Sequence, residues 1–424
     1  GTRRGADVLG RRIMVIGGGA SGLIAAARAA ELGADTLVIE RMERPARKLA
    51  ITGKGRCNFT TGHDVAHAIE AFGANGRFLH SAFGRFYSED IIAILESRGV
   101  RVKEERGKRY FPESDRALDV VDALAGLAAD NGAKLMTGFR VERIGVEGGR
   151  VASAEAVGPD GSRVVFEADA AIAATGGMSY PGTGSTGDGY RLARELGHTV
   201  VPPVPALAPI ELAGDAHPAL SPLSLKNASA ALTSGGVVVK ELFGDMMFTP
   251  FGATGPIILD MGKIAAGKKP RERMELVVNF KPAMSPEQVR ARLLREFEAA
   301  GAGSVRKALE TMLPKRAVPV ALRLSGVALE RKASQVTKEQ RDAIQAQLTG
   351  MRFEVKGARP IEEAIVTAGG VALAEINPRT MESRIVRGLF VCGELLDIDG
   401  PTGGFNLQAA FSTGYLAGES AAAD

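Results

Sequence analysis

The chain contains little of several residue types that mark particular classes of protein. It has no Trp, 5% aromatic residues, two cysteines and five histidines in 424 residues. Cys57 and Cys392 lie far apart and form neither a metal-binding set nor a disulfide framework, so a reducing cytoplasm is the expected compartment. The histidines lack metal-ligand spacing, and we expect no metal site.

Long apolar runs are also lacking. No segment approaches the roughly 18 consecutive apolar residues of a membrane span, and we expect no membrane association. The first twelve residues lack the charged-then-apolar layout of a signal peptide and are expected to form a disordered leader. The net charge is +4, and basic residues are nearly matched by acids along the chain. We therefore interpret the charges as a solvated surface and predict a small-molecule substrate and no nucleic-acid partner.

The N-terminal region has the pattern of a βαβ unit. The apolar run RIMVI at 12–16 predicts a strand, and the turn GGGASG follows it. The next residues, LIAAARAAELG, have helical spacing, and TLVIE at 36–40 predicts the second strand. A strand, a Gly-rich turn, a helix and a parallel strand are the parts of a dinucleotide-binding unit.

The turn of this unit carries the fingerprint Gly17-x-Gly19-x-x-Gly22, and Glu40 ends the second strand. In this fingerprint the first Gly allows a tight turn, the second lets the backbone approach a pyrophosphate, and the third lets the helix pack closely. The helix N-terminus offers N–H groups and partial positive charge to phosphates. Glu40 can accept hydrogen bonds from ribose hydroxyls. We therefore predict that the adenosine diphosphate part of a dinucleotide binds here.

A second match to the fingerprint occurs at Gly182-x-Gly184-x-x-Gly187. It begins well after the nearest predicted strand, and a proline-rich stretch stands where the second strand of a βαβ unit should be. We interpret it as a loop near the cofactor, without a nicotinamide site of its own.

Composition suggests where the chain divides. The stretch VVPPVPALAPIEL at 200–213 carries four prolines and marks a candidate boundary. Capping-box patterns at Ser285 and Thr337 predict helices in the segment that follows. The predicted domains are a discontinuous outer domain (12–200 and 351–424), a β-rich insert (201–262, with part of 351–376 as a possible addition) and a helical subdomain (263–350).

Four further segments resemble the BaiN/YhiN-like flavoprotein family. They are ARKLAITGKGRCNFTT at 46–61, ATGGMSYPGTGSTGDGYRLARELGH at 174–198, FTPFGATGPIILD at 248–260, and GLFVCGELLDIDGPTGGFNLQAAFSTGYLAG at 388–418. The resemblance implies an α/β fold with a discontinuous Rossmann-type FAD-binding domain, an inserted β-barrel-like domain and a helical subdomain. It also implies FAD as the cofactor.

The resemblance further implies a set of cofactor-binding residues. Ala174 to Gly177 match a turn beside the dinucleotide, Gly393 and Glu394 match a segment near the ribityl or pyrophosphate group, and Gly403 opens the last helix. Arg56 and Lys48 are candidates to contact phosphates or reduced flavin. The full expected set is Gly17, Gly19, Ala20, Ser21, Gly22, Glu40, Arg41, Lys48, Gly53, Gly55, Arg56, Cys57, Asn58, Val141, Ala174, Thr175, Gly176, Gly177, Gly393, Glu394, Asp397, Gly403, Gly404, Phe405, Asn406 and Leu407.

No side chain stands out as a catalyst. Cys57 lies in the expected flavin-side loop, where it is either a redox thiol or a small packed residue, and we favour packing. The family commonly has His at the position of Pro250, so this chain lacks one candidate acid or substrate ligand. Tyr180 and Tyr190 flank the second glycine loop, where each either faces substrate or packs.

The favoured function is an FAD-dependent oxidoreductase acting on a small organic molecule. The resemblance implies either amine oxidation or reduction of a conjugated double bond. A reductase needs NAD(P)H, which would dock transiently because only one dinucleotide fingerprint is in context. The alternatives are a flavin-dependent RNA-modifying enzyme and a non-catalytic flavin-binding redox protein.

Overall fold

The computed structural model describes residues 10–423, so most of the expected N-terminal leader lies outside the described residues. The chain forms two compact units. The first comprises residues 10–204 and 365–423, and the second comprises residues 205–364.

The described residues form nineteen strands. They are β1 (Arg12–Ile16), β2 (Asp35–Glu40), β3 (Thr60–Thr61), β4 (Val102–Glu105), β5 (Arg109–Pro112), β6 (Lys134–Thr137), β7 (Arg140–Glu147), β8 (Arg150–Val157), β9 (Arg163–Glu167), β10 (Ala170–Ala173), β11 (Val200–Ala206), β12 (Ile210–Leu212), β13 (Ser224–Ser234), β14 (Val237–Thr249), β15 (Gly252–Thr254), β16 (Met274–Asn279), β17 (Met351–Ala358), β18 (Val366–Val371) and β19 (Leu389–Val391).

The α-helices are interspersed with short 3₁₀ turns. They are α1 (Ala20–Glu31), α2 (Arg47–Gly55), α3 (Val65–Ala71), α4 (His80–Arg85), α5 (Ser88–Ser97), α6 (Ala117–Asp130), α7 (Asp188–Glu195), α8 (Ala216–Leu220), α9 (Pro256–Leu259), α10 (Gly262–Ala266), α11 (Pro286–Ala300), α12 (Val305–Leu309), α13 (Ala317–Leu324), α14 (Lys338–Gly350) and α15 (Phe405–Ala423).

The first unit is built on a five-stranded parallel sheet in the order β19-β10-β1-β2-β6. Its central strands are continuous apolar runs, and β10 is buried at every position, as is usual for parallel strands. The chain passes from β1 to β2 and β6 on one side, whereas β10 and β19 lie on the other. The strand order therefore switches direction between β1 and β10, which is where such sheets bind ligands.

Three smaller sheets complete the first unit. The antiparallel meander β7-β8-β9 connects β6 to β10. The sheet β3-β5-β4 follows α2, and β11 pairs with β18. Phe139, just before the meander, donates to the carbonyl oxygen of Glu40 at the end of β2, and Phe59, after α2, donates to that of Tyr110 in β5. These contacts hold the segments after β2 and α2 in position.

The second unit contains a closed barrel in the order β12-β15-β14-β13-β16-β17. Its core includes Phe248 and Phe353, whose ring centroids are 5.2 Å apart. Helices α11 to α14 share the same hydrophobic core. The expected helical segment 263–350 also contains the barrel strand β16, because MELVVN alternates buried and partly buried residues with a period of two. The predicted α/β class with a Rossmann-type sheet, a barrel and a helical part is confirmed.

Candidate functional site

The carboxyl ends of four parallel strands carry the motifs that the sequence singled out. Gly17 follows β1, Glu40 ends β2, Ala174 follows β10, and Gly393 lies two residues beyond β19. Because these strands are parallel, the four motifs meet at one edge of the sheet. We call this edge, with the N-termini of α1 and α15, the carboxyl-edge site.

The glycine fingerprint has two packed glycines and one that faces open space. A Cβ atom at Gly22 would lie 1.9 Å from the carbonyl oxygen of Gly17, so only glycine allows α1 to approach the turn this closely. A Cβ at Gly17 would lie 2.5 Å from the carbonyl oxygen of Ala174. A Cβ at Gly19 would meet no atom within 4 Å. The turn therefore packs tightly on one side and is open at Gly19.

The N-terminus of α1 is available to an anion. Gly19 is the N-cap residue and supplies no side-chain cap, and the first turn contains no acidic residue. The first N–H groups of a helix have no partner within the helix and carry partial positive charge. An opening at Gly19 next to uncapped N–H donors fits a pyrophosphate group.

Glu40 is buried at the end of β2 and is 8% exposed. Its Oε2 accepts from the backbone N–H of Gly18 at 2.7 Å, and its Oε1 accepts from that of Met42 at 2.7 Å. Burial raises the pKa of this carboxyl group, and the backbone donors of Met42 and Gly18, with the charge and backbone of Arg41, partly oppose that effect. A carboxylate has about four acceptor positions, so the group remains able to accept from a ribose hydroxyl as well.

Arg41 is directed at the second glycine loop. Its Nη1 donates to Asp188 Oδ2 at 2.8 Å and to Thr186 Oγ1 at 2.5 Å. The same loop holds Tyr180 in a left-handed conformation, with φ +53, while its side chain is 38% exposed. Tyr190, in contrast, is buried. Val141 is buried in β7 opposite Ala156.

Lys48 and Glu394 form an ion pair across the site. The Lys48 Nζ donates to both Glu394 carboxylate oxygens, at 2.7 and 3.0 Å, and to Ser179 Oγ at 2.7 Å. Glu394 Oε1 also accepts from the Thr367 backbone N–H at 2.8 Å. Lys48 was expected to contact phosphate or flavin, and Glu394 to lie near the ribityl or pyrophosphate group. In the structure Lys48 and Glu394 are paired with each other.

Ser179 and Thr367 take part in this network, and the sequence analysis did not select them. Thr367 Oγ1 accepts from the N–H groups of Met178 at 2.9 Å and of Ser179 at 3.2 Å. A Cβ at Gly177 would lie 2.4 Å from that same oxygen. Ser179 and Thr367 are 188 residues apart, so the sequence alone gives little sign that they meet beside a glycine turn.

The end of α2 and the loop that follows it have an unusual backbone, and Thr52, Gly53 and Lys54 depart from helical geometry within α2. Gly53, Lys54, Gly55 and Cys57 all have positive φ, at +57, +60, +84 and +59. Lys54 and Cys57 are not glycines, so this conformation costs energy that the surrounding structure must offset. Such strain is often found at functional sites. The loop was expected to lie beside the flavin.

Cys57 is fully buried in this loop. Burial raises the pKa of its thiol to about 12, opposed by a hydrogen bond with Thr52. The thiolate is the reactive form of cysteine, so a buried neutral thiol is inert. This environment supports packing as the role of Cys57.

Arg56 faces a hairpin. Its Nε donates to Asp115 Oδ1 at 2.9 Å, it pairs with Glu105, and its guanidinium carbon lies 4.4 Å from the centroid of the Phe111 ring. These contacts hold the loop after α2 against β4 and β5. Contacts with phosphate or reduced flavin were expected for Arg56, but in the structure its guanidinium pairs with Glu105 and Asp115 and lies over the Phe111 ring.

The N-terminus of α15 is packed against the segment around β3. A Cβ at Gly404 would lie 2.3 Å from the carbonyl oxygen of Thr60, so no other residue fits there. With the Asn58 amide oriented to satisfy its neighbours, its oxygen accepts from the Gly404 N–H at 3.0 Å. Asn406 both donates to and accepts from the backbone of Gly400, each at 2.8 Å. These contacts hold residues 403–407 in place around the start of α15.

The remaining expected residues are placed as follows. Gly393 donates to Thr413 Oγ1 at 3.0 Å, which ties the segment after β19 to α15. The backbone of Asp397 donates to Val371 at 3.1 Å and accepts from Asn75 at 2.7 Å. Thr175 Oγ1 is buried and has no hydrogen-bond partner among the described residues. The structure thus brings the fingerprint, the loops after β10 and β19 and Lys48 together, whereas Arg56 is turned towards a hairpin.

Residues 10–423 lack two other kinds of feature. No group of three or more His, Cys, Asp or Glu side chains is arranged to hold a metal ion. No helix in this range combines the length and apolar character needed to cross a bilayer.

The parallel sheet and the carboxyl-edge site define the class of the protein, which is a Rossmann-type dinucleotide-binding protein. The chain belongs to the family described as the HI0933-like protein Rossmann domain, whose family model matches residues 11–420.

Named relatives cover almost the whole chain. A 3-dehydro-bile acid delta(4,6)-reductase of Clostridium scindens is 34% identical over 415 residues, covering 97% of this chain and 99% of that protein. A ribosomal RNA dihydrouridine synthase of Haemophilus influenzae is 30% identical over 417 residues, covering 95% and 96%. Among solved structures, a 3-ketosteroid-delta4-(5alpha)-dehydrogenase of Rhodococcus jostii superposes with a TM-score of 0.53 at 16% identity, covering 99% of this chain and 98% of that one. This last likeness concerns the fold.

Proposed function

We propose that the protein binds FAD at the carboxyl-edge site and reduces a carbon–carbon double bond conjugated to a carbonyl group. The proposal rests on the names of two relatives, because both names describe the same kind of reaction. The name of one gives reduction of a 3-dehydro-bile acid at delta(4,6), and the name of the other gives formation of dihydrouridine. Both names describe addition of two hydrogens to a double bond that is conjugated to a carbonyl.

The cofactor-holding roles follow from the contacts described above. The opening at Gly19 and the N-terminus of α1 would receive the pyrophosphate, and Glu40 would accept from the adenosine ribose. Bound FAD supplies hydride-transfer chemistry. The N-terminus of α15 would place partial positive charge beside negative charge on the reduced ring, with Asn58 and Thr60 fixing Gly404.

We propose NAD(P)H as the transient reductant. The balanced reaction takes a hydride from NAD(P)H and a proton from water, and it delivers one hydrogen to each carbon of the double bond. The second glycine match lacks the surroundings of a nicotinamide domain, because a short 3₁₀ turn leads into it and the next strand, β11, pairs with β18 in a separate two-stranded sheet. NAD(P)H would therefore bind only for the reductive half-reaction.

The first candidate substrate is a small molecule with an enone group. The bile-acid reductase is the more similar of the two relatives, at 34% identity against 30%. Tyr180, strained and 38% exposed beside the site, offers an aromatic surface and a hydroxyl group to such a molecule. Amine oxidation is a weaker candidate, since both relatives are named for adding hydrogen.

The second candidate substrate is a uridine within RNA. It is favoured by the 30% identity to the ribosomal RNA dihydrouridine synthase over 95% of the chain. The pyrimidine ring of uridine contains the same conjugated carbonyl group as an enone.

The test is a turnover assay of the FAD-loaded protein under anaerobic conditions. NADH or NADPH is supplied as electron donor, with a 3-oxo-4-ene steroid acid or a uridine-containing ribosomal RNA fragment as acceptor. An amine is tested separately as an alternative electron donor. We expect NAD(P)H oxidation that depends on one of the first two substrates, with a saturated product found by mass spectrometry. A parallel aerobic assay supplies the amine together with oxygen, and turnover in that assay alone would refute the proposal.

A further inference from the structure

The basic residues of the chain are concentrated in one segment. Residues 263–350 contain eighteen Lys or Arg and nine Asp or Glu, a net charge of +9, whereas the whole chain has a net charge of +4. The remainder of the chain is therefore net negative. The sequence interpretation of an evenly balanced surface was wrong for this segment, because an average over the whole chain hides it.

Two antiparallel helices organise part of this segment. Val289, Leu293 and Phe297 of α11 are buried, as are Ile344 and Leu348 of α14. The Gln345 side chain donates to the carbonyl oxygen of Pro286 at 2.9 Å, which joins the middle of α14 to the start of α11. Residues one turn further along α11 consequently lie beside the first half of α14.

A cleft of about 90 Å³ lies between these helices. Arg290, Lys338 and Arg341 line it, and Asp342 is the one carboxylate in its lining. Arg341 is held in place, since its Nη1 donates to the carbonyl oxygen of Val336 at 2.8 Å. In the part of the chain that the structure describes, none of the three cations forms an ion pair with a carboxylate.

The lining of the cleft carries three cations and one carboxylate, so its net charge is positive. Most basic side chains elsewhere in the described chain are paired with acids, for example Arg12 with Asp169 and Arg359 with Glu363. The cleft therefore has unpaired positive charge in a space that fits a phosphate group.

The surroundings favour a nucleic-acid backbone over other polyanions. The aromatic residues of segment 263–350 are Phe280 and Phe297, and neither is exposed. Leu294, which lines the cleft, is 37% exposed, but no exposed aromatic residue of this segment accompanies it. Membrane-surface helices usually present Trp or Phe as well as Leu on their apolar face, and binding to single strands uses exposed aromatics for stacking. Cations without aromatics are typical of contacts with the phosphates of structured RNA.

We infer that the cleft formed by Arg290, Lys338 and Arg341 binds the phosphate backbone of a structured RNA. This inference rests on the second candidate of the proposed function, in which the substrate is a uridine within RNA. It adds where on the protein that RNA binds. The cleft positions RNA, and the carboxyl-edge site carries the redox chemistry.

The experiment measures binding of a fluorescein-labelled ribosomal RNA hairpin to the FAD-loaded full chain by fluorescence anisotropy over a series of salt concentrations. The test variant is Arg290→Gln with Lys338→Gln. The control is Arg101→Gln with Arg116→Gln, which removes the same charge from exposed positions outside the segment. We expect the test variant to bind roughly tenfold more weakly than the control and to lower the salt slope by about 1 to 2, as expected for lost phosphate contacts.

Equal RNA affinity in the two double variants would overturn the inference, as would failure of the unaltered protein to bind RNA at low salt. Binding to phosphatidylserine vesicles that the test variant loses, with RNA binding unchanged, would also overturn it. FAD content and NAD(P)H-dependent reduction of the steroid are measured on the same samples. Loss of RNA binding with retained steroid reduction supports the cleft, whereas absence of reduction with every substrate refutes the proposed function alone.

Discussion

The Lys48 ammonium donates to both carboxylate oxygens of Glu394, at 2.7 and 3.0 Å, across 346 positions of sequence. Their side chains are 22% and 21% exposed, so the pair is mostly shielded from water. It joins α2 to the segment after β19, and both elements belong to the carboxyl-edge site.

We expect Lys48→Met to lower the free energy of unfolding by about 1.5–3 kcal/mol, the range for a lost hydrogen bond to a charged group. Urea unfolding of the FAD-loaded protein measures this. Arg47→Met is the matched control, since Arg47 is an exposed cation on the same helix. If both variants unfold at the same urea concentration, the ion pair contributes nothing to stability.

A second prediction concerns Glu40 and pH. Burial raises the pKa of Glu40, so the folded protein without FAD takes up a proton at a higher pH than the unfolded chain does. Ionisation of Glu40 with rising pH therefore reduces folded-state stability, and this loss is absent below the ordinary carboxyl pKa. The ionised form is the better acceptor for ribose hydroxyls. FAD affinity should accordingly fall as the pH drops through the raised pKa.

Glu40→Gln should remove this pH dependence and weaken FAD binding by about 1–3 kcal/mol. Titration calorimetry of the protein without FAD at several pH values gives both results. The same pH dependence in Glu40→Gln as in the unaltered protein would show that another group titrates.

A third prediction separates cofactor binding from folding. Gly19→Val adds a Cβ atom that has no neighbour within 4 Å, so we expect a loss of thermal stability without FAD no larger than a change of N-cap residue causes, about 1 kcal/mol, but a loss of FAD affinity of at least about 100-fold, or 2.7 kcal/mol. Gly22→Ala places a Cβ 1.9 Å from the Gly17 carbonyl oxygen and should destabilise the fold by about 1–3 kcal/mol. Gly182→Ala, also in open space, is the control for Gly19. Retention of FAD by Gly19→Val would place the pyrophosphate elsewhere.

A fourth prediction concerns Cys57. Because burial raises its pKa to about 12, the unfolded chain ionises first as the pH rises above the ordinary value of 9.0, and stability is lost there. Cys57→Ser should lessen this alkaline loss and slow flavin reduction by less than about tenfold, or 1.4 kcal/mol. Stopped-flow absorbance measures the rate. A loss of ~10²–10⁴-fold, typical of a missing acid–base group, would identify a catalytic thiol.

The parts of the site that sequence could predict are those encoded by local pattern. The turn from Gly17 to Gly22 and the acid at Glu40 follow from one βαβ unit, and the structure places them at the same sheet edge. Arg56 differs because its partners Glu105 and Asp115 come from a separate hairpin, and only folding brings them together.

Long-range partners account for the other gaps. Ser179 and Thr367 are ordinary polar residues in sequence, and they become part of the site only because β18 lies beside the loop after β10. The cation cleft was also missed, since Arg290 and Lys338 lie 48 residues apart on different helices, and the average charge of the whole chain gives no sign that they meet. The barrel strand β16 was missed because six alternating residues are surrounded by helical patterns.

The most direct test of the account is an anaerobic single turnover. The FAD-loaded protein is reduced with one equivalent of NADPH or NADH and then mixed with a 3-oxo-4-ene steroid acid or a uridine-containing RNA, while the oxidised-flavin absorbance and the product are followed together. The account predicts that one of these substrates restores the oxidised absorbance and gains two hydrogens for each flavin reoxidised. Reoxidation only after oxygen is admitted, with both substrates recovered unchanged, would contradict it.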